Sequence, residues 1–362
     1  MASRTPGAVG GIGPSLIVLA AALIPFGLRA SPAGQPQKLS LEQKKQLAEL
    51  TRKLPHEPFG SEAWFQAAGK VLGFGEPGAK ELLPIVEVKL RGLERDYRHA
   101  FHVRAKRLRA EKLPEAAKKL GETRRQLEGQ IKQARRDVLE LAKTSGLDKN
   151  DIIAKGDPAM KKLNELTIAD RAEVLDGSQE LKDQRQLLYR LLELRGKMAA
   201  SEPPDAEQHI AAAEELSCLL ALPINSAMRR ILEHNARVEG KLSPEEAEGI
   251  RDLNRMRLLL GLPALRIDLR LCQAARDHSR DMRTRKFFSH DSPVPGKETP
   301  WKRAKQAGTT ASAENIAAGP RTGRGAIGTW FHSPGHFKNM LGSHQRVGIG
   351  HDGGKWTQMF GR

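Results

Sequence analysis

The chain has 362 residues, a formal charge of +17 from 60 Lys and Arg against 43 Asp and Glu, and 4% aromatic residues. That length supports two cores, and the charge favours anionic partners such as acidic envelope polymers, anionic lipid head groups or nucleic acid. No helix-turn-helix, zinc-finger or aromatic RNA-reading motif accompanies the charge, so the sequence is read as having no nucleic-acid partner.

The predicted elements begin with a leader. Arg4 precedes an apolar run from Leu16 to Leu28, broken by Pro25 and Gly27, and the small residues Ala30, Ser31 and Ala33 follow. A basic start, a short apolar stretch and an A-x-A-like exit make the pattern of a secretory signal peptide over residues 1–33, with cleavage after Ala30 or Ala33. The same stretch retained as an N-terminal anchor is the alternative, although it is short for a membrane span. Either way the rest of the chain is expected to be secreted or associated with the cell envelope. Residues 31–40, with Pro32, Gly34 and Pro36, read as a linker.

From Leu41 to Lys241 Leu, Ala, Glu, Lys and Arg dominate, and strand-favouring residues are scarce. The spacing of Val86, Leu90, Leu93, Tyr97 and Phe101 predicts one apolar helix face. After Pro114 a second run, Ala117, Leu120, Leu127, Ile131, Ala134, Val138 and Leu141, falls on a heptad seam with Arg124 as its one polar intrusion. Pro114 suits the first turn of a new helix, so two long helices folded back on one another, or one kinked helix, are expected. Gly146 and Asp148–Asp151 break the pattern. Further helices are predicted over Pro158–Leu175, Ser178–Met198, Asp205–Leu222 and Asn225–Val238, with Pro203-Pro204 as a firm interruption.

Residues 38–241 thus read as a mostly α-helical, coiled-coil-like region, a spacer or a surface for a protein partner or self-association. Its histidines, His56, His99, His102, His209 and His234, read as solvent-facing. The chain's two cysteines, Cys218 and Cys272, lie in apolar helical contexts and read as buried free thiols, although export would permit a disulfide between them.

A C-terminal unit over residues 243–362 opens on Ser243-Pro-Glu-Glu246, a capping serine with proline at the first helical position and glutamate at the third. Ile250, Leu253, Met256, Leu259 and Leu260 give this helix an apolar face, and Gly261 ends it. Asp268 caps a second helix, Leu269 to about Arg285, and a short helix is predicted near Gly325–Phe331. Val347–His351 and Lys355–Phe360 read as a hairpin turning at Asp352-Gly-Gly354.

Six patches in this unit carry its chemistry: Ala275–Met282 with His278, Phe287–Pro293 with His290, Ala313–Gly319 with Glu314, Trp330–His336, Gly348–Gly350 and Trp356–Gly361. Asn254 and Arg257 precede them as an Asn-x-x-Arg pair. Their order and approximate spacing resemble the CAP superfamily, the cysteine-rich secretory protein or SCP domain, in its short bacterial form. The resemblance implies an α-β-α sandwich, and hence an α+β fold class for a chain whose first part is helical. It also implies a cleft where two histidines and two glutamates converge. His290 matches the first histidine, Glu314 the first glutamate and His336 the second histidine. The second glutamate is missing, because Trp330 is followed by Phe331, His332 and Ser333; His332 neighbours the lost position and offers an imidazole instead.

Two imidazoles and a carboxylate could ligate Zn2+ or another divalent metal with a position open for water, which a metal would acidify for hydrolysis. Without metal, Glu314 between two histidines could act as a general base or simply as a hydrogen-bonded strand residue. The expected function is a binding module for a lipid, glycan or peptide at the envelope. A metal-assisted, peptidase-like hydrolase using His290, Glu314 and His336 is the alternative. In a third reading the basic helical region grips anionic polymers. His278 is expected to be a packed helical histidine, and His344 and His351 surface residues. Ser289 and Ser333 lack a Gly-x-Ser-x-Gly elbow, which argues against a serine nucleophile.

Overall fold

The computed structural model describes residues 38–198 and 205–362. The leader, both cleavage positions and the Pro203-Pro204 interruption lie outside the described residues.

Helices α1 (Leu41–Lys53) and α2 (Glu62–Leu72) lead into α3 (Glu76–Leu120), a 45-residue spine. Its buried face is Leu82, Val86, Leu90, Tyr97, Phe101 and Ala105, as the spacing predicted. Pro114 does not begin a helix: α3 runs through both Pro84 and Pro114 and ends at Gly121, whose φ of 66° supplies the left-handed C-terminal turn. Each proline removes a hydrogen bond to the carbonyl four residues back. Pro84, Pro114 and the residues that lose those bonds, Lys80 and Ala110, are all exposed, so water can satisfy the freed carbonyls.

The heptad seam is interrupted at the same place. Leu120 is exposed, and Arg124 begins α4 (Arg124–Leu141), where Thr123 and Gln126 form a capping box. From Leu127 onward the seam is buried as expected.

A helical turn at Lys149–Asp151 and a π-turn at Ile152–Gly156 then feed α5 (Asp157–Thr167). The helix expected over Pro158–Leu175 is split, because Asp170 caps a separate α6 (Arg171–Asp176). Next come α7 (Gln179–Met198), α8 (Ala206–Leu220) and α9 (Ser226–Val238). Not all histidines of this block face solvent. His209 is half-buried against Glu94 (2.7 Å), and half-buried His102 lies 3.3 Å from the Ser217 carbonyl.

The C-terminal unit comprises α10 (Pro244–Leu259), β1 (Arg266–Ile267), α11 (Leu269–Thr284), α12 (Pro300–Gln306), β2 (Ala313–Ala318), α13 (Gly323–Phe331), α14 (Pro334–Leu341), β3 (Arg346–Asp352) and β4 (Lys355–Gly361). The sheet order is β1-β3-β4-β2, with β1 parallel to β3 and the other pairs antiparallel. The predicted hairpin is β3–β4, closed by Gly353 and Gly354 at φ 53° and 77°.

Alternation along β3 explains the layers. Val347 and Ile349 join the main core, while Gly348 and Gly350 face α11. A Cβ on Gly350 would lie 2.0 Å from the Arg276 nitrogen, so glycine is what lets α11 lie directly on the strand. With α11 on one face and α10, α13 and α14 on the other, the sheet is the middle of an α-β-α sandwich.

The helical block folds back onto this unit, and one hydrophobic cluster runs through both. Polar contacts fasten the seam: Asn235 to the Leu265 carbonyl and Ile267 amide (2.9 and 2.8 Å), Arg255 Nε to Asn164 (3.2 Å), and Arg251 and Arg324 to Glu215 (3.0 and 3.1 Å). Cys218 and Cys272 are both buried and free, and burial pushes each thiol up to about 12. No helix among the described residues is long and apolar enough to cross a membrane.

Candidate functional site

The edge strand β2 places Glu314 in register with Met359 of β4, its carboxylate almost wholly buried. A buried carboxylate needs donors, and two side chains supply this one with three hydrogen bonds. Arg303 Nη2 donates to Oε2 at 2.7 Å and Oε1 at 2.9 Å, and His290 Nδ1 lies 2.9 Å from Oε1. Arg303 comes from α12, which starts at the Thr299 cap with Pro300 in its first turn. It also donates to the carbonyls of His290 (2.9 Å) and Lys297 (2.9 Å), so this one buried guanidinium fastens the loop before α12 to the edge strand.

With Nδ1–H directed at Glu314, the neutral His290 ring carries its lone pair on Nε2, and the side chain is 49% exposed. His336, in the first turn of α14, is half-buried, and its Nδ1 has no partner among the described residues. Burial and, secondarily, the neighbouring His290 lower its pKa, which favours the neutral imidazole. Beneath it, Asn315 bridges the His336 carbonyl (3.3 Å) and Gln358 (2.8 Å), while Asn339 donates to Asn315 (2.8 Å).

The fold brings His290, Glu314 and His336 into one neighbourhood. His332 goes elsewhere: its Nε2 lies 2.9 and 3.0 Å from the Asp157 carboxylate oxygens, at the start of α5 in the helical block. His278 is a packed histidine, its Nε2–H donating to the Ser289 carbonyl at 3.1 Å, and burial lowers its pKa to about 4. His344 and His351 are half-buried rather than surface residues, stacked on Phe360 and Trp356.

The expected metal ligands are not placed as one set. Both Glu314 oxygens already receive donors and His290 Nδ1 is committed to one of them, which leaves His290 Nε2 and the His336 ring as the free lone pairs of the site. Among the described residues no three His, Cys, Asp or Glu side chains converge as a ligand set. Of the expected metal set of His290, Glu314 and His336, with His332 as a further candidate, the structure pairs Glu314 with Arg303 and draws His332 away to Asp157. Arg303 escaped the sequence reading because an arginine in a short amphipathic helix looks like a solvated charge, and nothing in its spacing points to Glu314.

Asn254 and Arg257, the pair that opens the motif series, are fully buried. Asn254 holds the Leu265 backbone at both its amide (2.7 Å) and carbonyl (3.0 Å), and Arg257 donates to the carbonyls of Pro263, Met340 and Gly342. Residues 250–360 match the cysteine-rich secretory protein family, CAP. The C-terminal third of the chain is a CAP domain.

The chain is 36% identical over 124 residues to the uncharacterized protein YkwD of Bacillus subtilis, and 32% identical over 122 residues to the uncharacterized membrane protein YlbC of the same organism. Each match covers 33% of this chain, and the matched segments span 48% and 35% of those relatives. A crystal structure of an extracellular SCP-domain protein from Bacillus anthracis is similar at 28% identity and a TM-score of 0.31, covering 41% of this chain and 49% of that one. The helical block lies before the residues that the family matches.

Proposed function

We propose that this protein is an exported binding module of the cell envelope, whose CAP domain holds a lipid, glycan or peptide at His290, Glu314 and His336 without a resident metal. The observation that carries this reading is the Arg303–Glu314 contact, two hydrogen bonds of 2.7 and 2.9 Å from a buried guanidinium. An internal cation satisfies the carboxylate, which in turn orients His290 so that its Nε2 is the polar atom offered to a ligand. The leader pattern supports export. The helical block, fastened to the CAP domain through Glu215, Asn164 and Asp157, supplies reach or partner contacts.

The metal-assisted hydrolase alternative would require Glu314 to leave Arg303. Two measurements on the whole chain test the choice, zinc content with zinc affinity and binding to isolated envelope fragments. No stoichiometric zinc is expected, with fragment binding weakened about tenfold or more by His290→Ala and by His336→Ala, the loss of a charged or strong hydrogen bond. Tight zinc lost in both variants, or fragment binding untouched by either, would overturn the proposal.

A further inference from the structure

A groove of about 490 Å³ lies at the seam between α3, α4, the end of α5, the turn after α8 and the C-terminal end of α10. Its apolar lining includes Leu113, Ile131, Leu166, Ile224, Met228 and Leu262. Three arginines line it, Arg109 from α3 and Arg124 and Arg135 from α4, against one acidic residue, Glu128. Glu128 is taken by Arg124 at 3.0 Å. Arg135 donates Nε to the Leu259 carbonyl at 2.7 Å and makes no ion pair among the described residues; Arg109 has neither.

Elsewhere among the described residues several partly buried arginines carry carboxylate partners, Arg185 with Glu214 and Glu207, Arg251 with Glu215 and Glu239, Arg276 with Glu246, while Arg104 and Arg255 donate to the Val174 carbonyl and to Asn164. Arg257 departs from this pattern, but three carbonyls receive it. Arg109 is half-buried without either kind of compensation and Arg135 with a single carbonyl, and burial, joined for Arg109 by the nearby Arg124 charge, pushes their pKa values below the usual arginine range. Desolvated like charges gathered over an apolar floor are unfavourable until an anion joins them. Volume and lining are those of a small-molecule site.

We propose that this groove binds a single-chain anionic lipid, its acyl chain on the apolar floor and its phosphate head among Arg109, Arg124 and Arg135. Guanidinium groups suit phosphate because their paired N–H donors match its oxygens. The site is separate from the His290 cleft, and its test does not depend on that reading.

The test is calorimetric titration of the whole chain with monomeric dodecyl phosphate, alongside inorganic phosphate and the neutral surfactant dodecyl maltoside. Saturable one-to-one binding of dodecyl phosphate is expected, with each control at least about tenfold weaker because it offers only half of the recognition. Arg109→Met, which keeps the packed stem, and Met228→Glu, which adds an internal carboxylate, are each expected to weaken binding about tenfold to a hundredfold. Circular dichroism and thermal melting establish that each variant is folded, and Met228→Glu decides the matter if Arg109→Met is not. The proposal is overturned by absent binding, by inorganic phosphate binding as tightly (a bare anion site), by the maltoside binding as tightly (a greasy surface), or by a folded variant that keeps wild-type affinity.

Discussion

The helical block and the CAP domain bury different kinds of residue. Of the fourteen buried polar or charged side chains among the described residues, Glu214, Ser217 and Asn235 precede residue 243; the other eleven, among them Asn254, Arg257, Arg303, Glu314, Asn315 and Gln358, belong to the C-terminal unit. The helical block is held mainly by periodic apolar contact, which is non-directional and tolerant of local adjustment. Directed hydrogen bonds of buried groups hold the CAP domain, and these are costly when one partner is removed. The difference teaches where function can be built: a side chain aimed within hydrogen-bonding distance needs a rigid, fully paired surround.

The largest test of that contrast is Arg303→Met. It leaves the Glu314 carboxylate buried without its main partner, and a loss of about 3–5 kcal/mol in urea denaturation is expected. Adding Glu314→Gln should recover a substantial part, since the uncompensated charge is then gone. Equal instability of the single and double variants would show that Arg303 acts through its carbonyl contacts alone.

His278 gives the next effect. Its native pKa is depressed to about 4 from an unfolded value near 6.5, so above pH 6.5 both states are neutral and it makes no pH-dependent contribution. As pH falls from about 6.5 to 4 the unfolded state takes up the proton first, and stability drops by up to about 3 kcal/mol. Denaturation of the wild type and His278→Gln at pH 7 and pH 4.5 should show a shallower loss in the variant, whose amide can still donate to the Ser289 carbonyl.

The smallest effects come from glycines and should differ in sign between the two regions. Gly350→Ala pushes a methyl group into the α11 backbone and is expected to cost about 1–3 kcal/mol. Gly129→Ala on α4 meets nothing within 4 Å and should stabilise the protein by about 0.5–1 kcal/mol, because alanine gives up less backbone freedom in a helix. Thermal melting of the two variants suffices, and two losses of similar size would erase the contrast.

Much of the fold was legible in the sequence. The apolar face of α3, the capping box of Ser243 and Glu246, and the Gly353-Gly354 hairpin are local signals, each written within a few residues. The passage of α3 through Pro114 was not legible, because it depends on whether the Ala110 carbonyl faces water, a matter of how the helix is packed. The same limit applied at the site. Motif order pointed to His290, Glu314 and His336, while Arg303, which occupies the carboxylate, and Asp157, which takes His332, carry no motif at all.

The sequence by itself determined the helical character of most of the block before residue 242 and the strand pairing of the terminal hairpin, because periodicity, caps and turns act over a few residues; the candidate residues of the CAP cleft came from the resemblance of motif order. Only the tertiary structure decided which charge meets which. Arg303 and Glu314 stand eleven positions apart, His332 and Asp157 one hundred and seventy-five. Such pairings depend on the path of the whole chain and on burial, which strengthens the attraction between opposite charges while penalising any charge left unpaired.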